Sequence, residues 1–287
     1  MTEYCAISRC VEQAHLDNSG VKSTNLNLRN CGLNKSRLAL AKLAKGENQS
    51  IAKYGGPGGS DTVEITEEDL ERLKPGEFLN DTLIDFYMKY LFFDILDDLQ
   101  RIKVHFFSCF FITKYSETSA DVRYERVRKW TKNMDVFKKD YLLVPKNENL
   151  HWSLYIICFP GLVAKASRAN NSKRKPCILY LDSLLHRGGS RATSKLLRSY
   201  LSEEYSYKRG KEISFDSKNF PTYELHVPQQ KNFSDCGLYL LQYAECFCKD
   251  PINHTTDEQE CRAWFDQAAV NKKRKQIETI IEKLHPY

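Results

Sequence analysis

Cys236 occupies a position where a protein could keep a nucleophilic thiol. It lies between a polar turn and the apolar stretch 237-GLYLLQYAECF-247, whose hydrophobic residues repeat at helical spacing. Ser234 and Asp235 are residue types that cap helices, so a helix is predicted to begin at or near Cys236. A thiol in the first turn faces the positive end of the helix, where unpaired N–H groups stabilise a thiolate. The other nine of the ten cysteines are expected to be inert, buried hydrophobic residues.

A thiol nucleophile needs a base within hydrogen-bond reach and a group that orients the base. Among seven histidines, His151 stands out because it opens the apolar run 152–159, at a sheet edge where a cleft is expected. Asp182 ends the next apolar run, 177–182. If these two strands are neighbours in a suitable register, the imidazole and the carboxylate could meet. A surface role for His151 and a capping role for Asp182 remain open at this point.

The elements that must position these side chains are predicted from hydrophobic periodicity. The runs 152–159 and 177–183 are apolar on both faces and rich in β-branched or aromatic residues, which is typical of strands covered on both sides. A further short apolar run lies at 141–145. Helices are predicted at 80–93, 122–131, 191–205, 237–248 and 257–284. This pattern favours an α+β (α/β-like) domain with a small mixed central sheet flanked by helices.

The chain divides into two regions of different composition. Residues 1–60 are rich in Asn, Ser, Lys and Gly, and they end in the loop-like 54-YGGPGGSD-61. We predict a disordered or weakly structured extension over 1–60 and one packed domain over 61–287. Between the two central strands, the basic stretch 160–176 has the composition of a loop that accepts insertions.

Composition narrows the classes of function. The formal net charge of +6 is too small to predict nucleic-acid binding, and it suits an acidic protein partner at least as well. No run approaches the roughly 20 apolar residues of a membrane span, and residues 1–20 lack the apolar core of a signal sequence. We therefore expect a soluble intracellular protein with reduced cysteines. Zinc is disfavoured at the one metal-like cluster, since its C-x-C pair would lie on opposite sides of a helix. That cluster consists of Cys246, Cys248, His254 and Cys261.

The sequence resembles the Ulp/SENP family of SUMO-specific cysteine proteases over most of 62–287. The resemblance rests on the order His…Asp…Cys in 151-HWSL-154, 179-LYLDS-183 and 229-QQKNFSDCG-237, with a glutamine six residues before the cysteine. Other family-like stretches are 76-GEFLNDTLIDFYMKYL-91, 109-CFFITKYS-116, 126-RVRKWTKNMDVFKKDYLLVPKNENLHW-152 and 264-WFDQAAVNKKRKQIETIIEKLH-285. VRKWTKNMDVF and NFSDCG are most similar to the chain-editing subgroup. The resemblance implies a papain-like cysteine protease domain of the Ulp/adenain type.

The resemblance also implies catalytic roles. Cys236 would be the nucleophile, His151 the general base and later the acid for the leaving amine, and Asp182 the group that orients the imidazole. Gln230, at the six-residue offset, would donate its side-chain amide to the oxyanion together with the Cys236 N–H. Gln229 is its neighbour, but the spacing favours Gln230. This mechanism needs no metal and no organic cofactor.

Three residues would bind the substrate. In this family the Gly-Gly terminus of SUMO passes through a narrow tunnel between aromatic side chains, where glycine alone lets the backbone lie close to a ring. Trp152 would form one wall, and Phe78 would replace the tryptophan that is usual on the other wall. Asp81 matches the acidic position that pairs with a basic residue of SUMO. Without the resemblance, Phe78 and Trp152 would be interpreted as core aromatics and Asp81 as a helix cap.

The implied function is a SUMO isopeptidase or endopeptidase that cleaves after the terminal Gly-Gly and trims SUMO chains or removes SUMO from conjugated proteins. Three alternatives stay open: a protease for another ubiquitin-like modifier, a non-catalytic SUMO-binding module, and an acyltransferase with the same triad. The family implies a monomer in the nucleus, and also in the cytoplasm, that requires neither nucleic acid nor membrane. The basic runs 173–175 and 272–275 could be nuclear signals or SUMO contacts, but a solvated loop and a solvated helix face are favoured.

Overall fold

The computed structural model describes residues 49–56, 59, 61–117, 119, 122–168, 174–184 and 190–284. All of these belong to the unit Asn48–Tyr287. Most of the predicted extension 1–60 therefore lies outside the described residues, and its lack of structure stays a prediction.

A five-stranded mixed sheet forms the centre of the domain. Two earlier strands, β1 (Ser50–Tyr54) and β2 (Val63–Thr66), form a separate hairpin. The strands of the central sheet are β3 (Val104–Phe106), β4 (Tyr141–Glu148), β5 (His151–Cys158), β6 (Cys177–Leu181) and β7 (Thr222–Glu224). They lie in this spatial order, with antiparallel pairs in the middle and a parallel pair at each edge. Every residue of β5 and β6 is buried, so the prediction of central strands covered on both faces is confirmed.

Helices cover both faces of this sheet. They are α1 (Glu67–Glu71), α2 (Asp81–Tyr90), α3 (Asp98–Lys103), α4 (Phe111–Ser116), α5 (Arg123–Val127), α6 (Ser190–Arg209), α7 (Cys236–Lys249), α8 (Glu258–Arg262) and α9 (Gln267–Leu284). Helical turns of other types span Leu91–Ile95, Arg128–Thr131, Val136–Lys138 and Pro160–Arg168. The predicted helix 257–284 is thus two helices. At the interruption, Trp264 and Phe265 pack against the ring of Tyr243.

Alternation along the central strands builds two apolar cores. Leu154 and Ile156 of β5 point to the core beneath α2, α7 and α9, whereas Tyr155 and Ile157 point to the core beneath α4 and α6. This period of two is the expected result for a strand with helices on both sides. Helix α7 packs directly against β5, which brings the first residue of α7 towards the first residue of that strand.

The folded unit begins earlier in the chain than the boundary predicted at 61. Strand β1 (Ser50–Tyr54) pairs antiparallel with β2 (Val63–Thr66), and the loop-like stretch 54–61 connects the two strands. Ala52 is buried, and the Tyr54 ring packs edge-on against Phe86 at 5.3 Å. The strand was not predicted, because an alternating run of only five residues gives a weak signal within a stretch of mainly polar composition.

The basic stretch 160–176 is partly helical. Pro160–Arg168 forms a 3₁₀ helix, and residues 169–173 lie outside the described residues. A Cβ on Gly161 would lie 2.1 Å from the carbonyl oxygen of Phe137, so the close packing of this segment requires glycine. The predicted loop insertion therefore has a packed start.

Candidate active site

The sheet brings His151 and Asp182 together. Strands β5 and β6 are antiparallel neighbours, with Leu154 opposite Leu181, so the beginning of β5 lies beside the end of β6. His151 Nε2 lies 2.6 Å from Asp182 Oδ1. Asp182 also accepts hydrogen bonds from the Tyr180 hydroxyl at 2.6 Å and from the Leu184 N–H at 2.8 Å. The carboxylate is therefore held as the anion that orients the imidazole.

The electrostatics of this pair favour the charged imidazolium. Burial opposes the charge of His151, but hydrogen bonds and charge interactions with Asp182 and Cys236 outweigh it and raise the pKa of His151 to about 9. Burial likewise opposes the charge of Asp182, yet the hydrogen bonds from His151 and Tyr180 lower the pKa of that carboxyl. His151 is consequently protonated at neutral pH beside the thiol of Cys236.

Cys236 is the first residue of α7, as the sequence predicted. Its side chain is buried, and its Sγ lies 4.0 Å from the carbonyl oxygen of Leu150, the residue before His151. Asp235 occupies the cap position, but its side chain makes no capping hydrogen bond. The first turn of α7 therefore has no side-chain cap, unlike the arrangement expected from the sequence.

The two glutamines before Cys236 have different partners. The Gln230 Oε1 accepts a hydrogen bond from the Ser183 hydroxyl at 2.5 Å, and its Nε2 donates to the Asn232 carbonyl at 2.6 Å. Gln230 is buried, and its amide lies in the turn that leads to Cys236. The Gln229 Nε2 donates to the carbonyl oxygens of Asp182 and Val227 at 2.9 and 2.8 Å. Gln229 thus braces the main chain at Asp182.

Trp152 connects β5 to the segment before α2. It is 2% exposed, and its indole N–H donates to the Leu79 carbonyl at 2.9 Å. The neighbouring Phe78 is 39% exposed, which is too much for an ordinary core aromatic. Trp152 does belong to the core, so the two aromatics differ in this respect.

Asp81 does not cap α2. Asn80 takes that role, because its side chain accepts a hydrogen bond from the Leu83 N–H at 3.1 Å. Asp81 is the first helical residue and half-buried, and the Cys109 Sγ lies 3.5 Å from its Oδ1. The position of Asp81, two residues after Leu79, places it at the same end of the domain as the Trp152 contact.

The interpretation of the run 272–275 as a solvated helix face is wrong for two of its residues. Lys273 is 1% exposed and bonds to Glu245 and to the Tyr87 hydroxyl. Arg274 is largely buried and pairs with Asp235 at 2.8 Å. A signal for Lys273 did exist, since it falls between Val270 and Ile277 on the buried side of α9. Of the run 173–175, Arg174 and Lys175 are exposed, as the favoured solvated loop predicts, and residue 173 is not described.

The part of the chain that the structure describes contains no group of three or more His, Cys, Asp or Glu side chains placed to hold a metal ion. None of its helices has the length and apolar character needed to cross a membrane.

A cysteine and a histidine–aspartate pair on a mixed sheet flanked by helices define a papain-like cysteine protease domain. Residues 77–284 match the Ulp1 protease family, C-terminal catalytic domain, and the chain belongs to this family. The family and the fold class predicted from the sequence are thereby confirmed.

Known relatives agree with this assignment. The chain is 36% identical over 266 residues to "Probable ubiquitin-like-specific protease 2A" of Arabidopsis thaliana, covering 86% of this chain and 33% of that protein. It is 34% identical over 297 residues to "Sentrin-specific protease 7" of Homo sapiens, covering 83% and 28%. The chain therefore spans about a third of the length of these relatives. A crystal structure of the C-terminal Ulp1 protease domain in complex with Smt3, the yeast ortholog of SUMO, aligns with a TM-score of 0.58 at 27% identity, covering 92% of this chain and 98% of that one.

Proposed function

We propose that this domain is a thiol isopeptidase that cleaves after the C-terminal Gly-Gly of SUMO and releases it from lysine side chains, including those of SUMO in chains. The observation that carries the proposal is the hydrogen-bonded His151–Asp182 pair beside Cys236 at the start of a helix. The names of the relatives and the SUMO-bound yeast structure support the substrate class.

Cleavage proceeds through a thioester. The Cys236 thiolate attacks the carbonyl carbon of the terminal glycine, and the tetrahedral oxyanion accepts hydrogen bonds from the Cys236 N–H and the Gln230 amide. The imidazolium of His151 gives its proton to the lysine nitrogen as the C–N bond breaks, and the amine leaves. His151 then takes a proton from water, which attacks the thioester. The C–S bond then breaks, which restores the thiolate beside the imidazolium. The glycine carboxyl group leaves and loses the second proton of the water to solvent. Asp182 keeps the imidazole in position throughout.

Gln230 can take this role without losing its present partner. Its amide donates to the Asn232 carbonyl. Because the amide carries two N–H groups, one of them can serve the oxyanion while the other keeps this bond.

The substrate reaches the cysteine between Phe78 and Trp152. The buried indole is fixed by its bond to Leu79, while the exposed ring of Phe78 is free to close over a glycine backbone. Asp81 would form a charge-assisted contact with a basic residue of SUMO. We further propose a monomer that acts in the nucleus and the cytoplasm without nucleic acid, membrane or cofactor. Gel filtration and imaging of a tagged chain test the oligomeric state and the location.

The test uses SUMO with a C-terminal electrophile beside ubiquitin with the same group, on wild type and Cys236→Ser. We expect a covalent adduct with SUMO that is absent from the variant. An adduct only with ubiquitin or another modifier would show that the substrate is not SUMO, and the proposed catalytic residues would stand. No adduct with any modifier would overturn the protease function and favour a binding module, whereas transfer of acyl groups to amines without net hydrolysis would favour an acyltransferase.

A further inference from the structure

Arg274, in α9, connects two segments that lead into the active site. Its side chain is 12% exposed, and its guanidinium donates to Asp235 Oδ1 at 2.8 Å, to the Glu77 carbonyl at 2.7 Å and to the Arg72 carbonyl at 3.0 Å. Asp235 directly precedes Cys236, and Glu77 directly precedes Phe78. A single side chain from α9 therefore fixes the turn before Cys236 relative to residues 72–78.

The contact continues from Asp235 to Gln230. The second carboxylate oxygen of Asp235 accepts a hydrogen bond from Asn232 Nδ2 at 2.7 Å, and the Asn232 carbonyl accepts from Gln230 Nε2 at 2.6 Å. Asn232 Oδ1 also accepts from the main-chain N–H groups of Ser234 and Asp235 at 3.2 and 3.0 Å. These bonds form a relay from Arg274 through Asp235 and Asn232 to the amide of Gln230.

The carboxylate of Asp235 is committed to this relay. It sits at the cap position of α7 but makes no side-chain cap, and it is 9% exposed. A nearly buried carboxylate needs a charged partner, and Arg274 is that partner. The planar guanidinium matches the need to bond three acceptors at once, which a lysine ammonium on a flexible stem does poorly.

We propose that Arg274 is a positioning residue for the reaction: it aligns the oxyanion donor Gln230 and the 72–78 segment with Cys236. The inference rests on the proposed function. Arg274 touches neither the thiol nor the imidazole, so its loss should affect steps that need the oxyanion donor more than the reactivity of the thiol itself.

The experiment compares two reactions of Arg274→Gln. Hydrolysis of a SUMO C-terminal amide requires the oxyanion donors, and we expect kcat to fall about tenfold or more. Alkylation of Cys236 by a haloacetamide is a direct displacement with no oxyanion, and its rate should stay within about twofold of wild type. Arg274→Lys should recover only part of kcat. Lys275→Gln, on an exposed face of the same helix, is the matched control and should leave both rates unchanged.

A double-variant cycle tests the relay itself. If Arg274 acts through Gln230, Arg274→Gln in a Gln230→Ala background should cost much less than in wild type. Additive losses would overturn the relay. Parallel losses of hydrolysis and alkylation would reduce Arg274 to a purely structural role and overturn the inference as well.

Folding and function are kept apart by two further comparisons. Should Arg274→Gln fail to fold because Asp235 is left unpaired, Asp235→Asn with Arg274→Gln removes that buried charge and is measured in its place. If Arg274→Gln and the double variant both hydrolyse the SUMO amide at the wild-type rate, this inference alone is overturned. Absence of wild-type hydrolysis overturns the proposed function, and the inference with it.

Discussion

The protonation of His151 sets the pH range in which the site can work. Because the pKa of His151 is raised to about 9, the imidazolium that protonates the leaving amine persists through neutral pH and is lost as the pH rises through that value. The same group stabilises the fold below its ordinary pKa of 6.5, and that contribution disappears as the pH passes about 9. Activity and a part of the stability should therefore decline over the same alkaline range.

We predict that kcat/KM for a SUMO C-terminal amide falls on the alkaline side with a midpoint near pH 9. In Asp182→Asn the charge that favours the imidazolium is gone, so this limb should move to lower pH and kcat should drop about 10²-fold or more. Steady-state rates across the pH range, with circular dichroism as the control for folding, measure both effects. If Asp182→Asn kept the wild-type midpoint of the alkaline fall in kcat/KM, the role of the aspartate would be contradicted.

At the scale of elements, α7 and α9 are joined by a buried ion pair. Glu245 of α7 accepts hydrogen bonds from Lys273 of α9 and from the Tyr87 hydroxyl of α2, so three helices meet at one carboxylate. Burial opposes the charge of Glu245, but the lysines at 249 and 273 outweigh it and lower the pKa of Glu245 to about 2. Its stabilising contribution is complete above the ordinary pKa of 4.5 and is lost as the pH falls towards 2.

We expect Glu245→Gln to lower the free energy of unfolding by about 3 kcal/mol, because Lys273 then keeps a buried charge without its partner. Adding Lys273→Met should recover most of that loss, since the unpaired ammonium is removed. Urea unfolding curves give the comparison, with the exposed Lys275→Gln as the control. Equal stability of Glu245→Gln and wild type would show that this pair does not join the helices.

At the scale of the whole molecule, the structure moves the start of the folded unit to Asn48. The hairpin of β1 and β2 buries Ala52 and Ile65, and Tyr54 covers Phe86. The relatives are about three times as long as this chain's matched part, so the domain works within longer proteins in those cases.

Removing residues 1–47 should leave thermal stability unchanged, whereas removing residues 1–60 deletes β1 and uncovers Ile65 and Phe86. We expect the shorter chain to lose about 2–4 kcal/mol of unfolding free energy, from the apolar surface exposed and the lost edge-on ring contact. Differential scanning calorimetry of 48–287 and 61–287 makes the comparison. If both chains unfolded at the same temperature, the folded unit would begin at residue 61, as predicted from the sequence.

Candidate site residues and family membership could both be predicted from the sequence. Helical spacing after Cys236, apolar runs after His151 and before Asp182, and the glutamine six residues before the cysteine are all local patterns, and local patterns are visible in one dimension. The order of motifs then identified the Ulp1 family, and the fold class followed. The strand Ser50–Tyr54 was missed because five residues give too weak a pattern.

How these residues meet in space depends on contacts between elements that are distant in the chain. The antiparallel register of β5 and β6, which sets the 2.6 Å contact between His151 and Asp182, depends on pairing across 31 residues of chain. Arg274 and Asp235 lie 39 residues apart, and in the sequence Arg274 looks like a surface charge and Asp235 like a helix cap. Their burial follows from the docking of α9 against α7, because the cost of burying a charge depends on a partner that the local sequence does not contain.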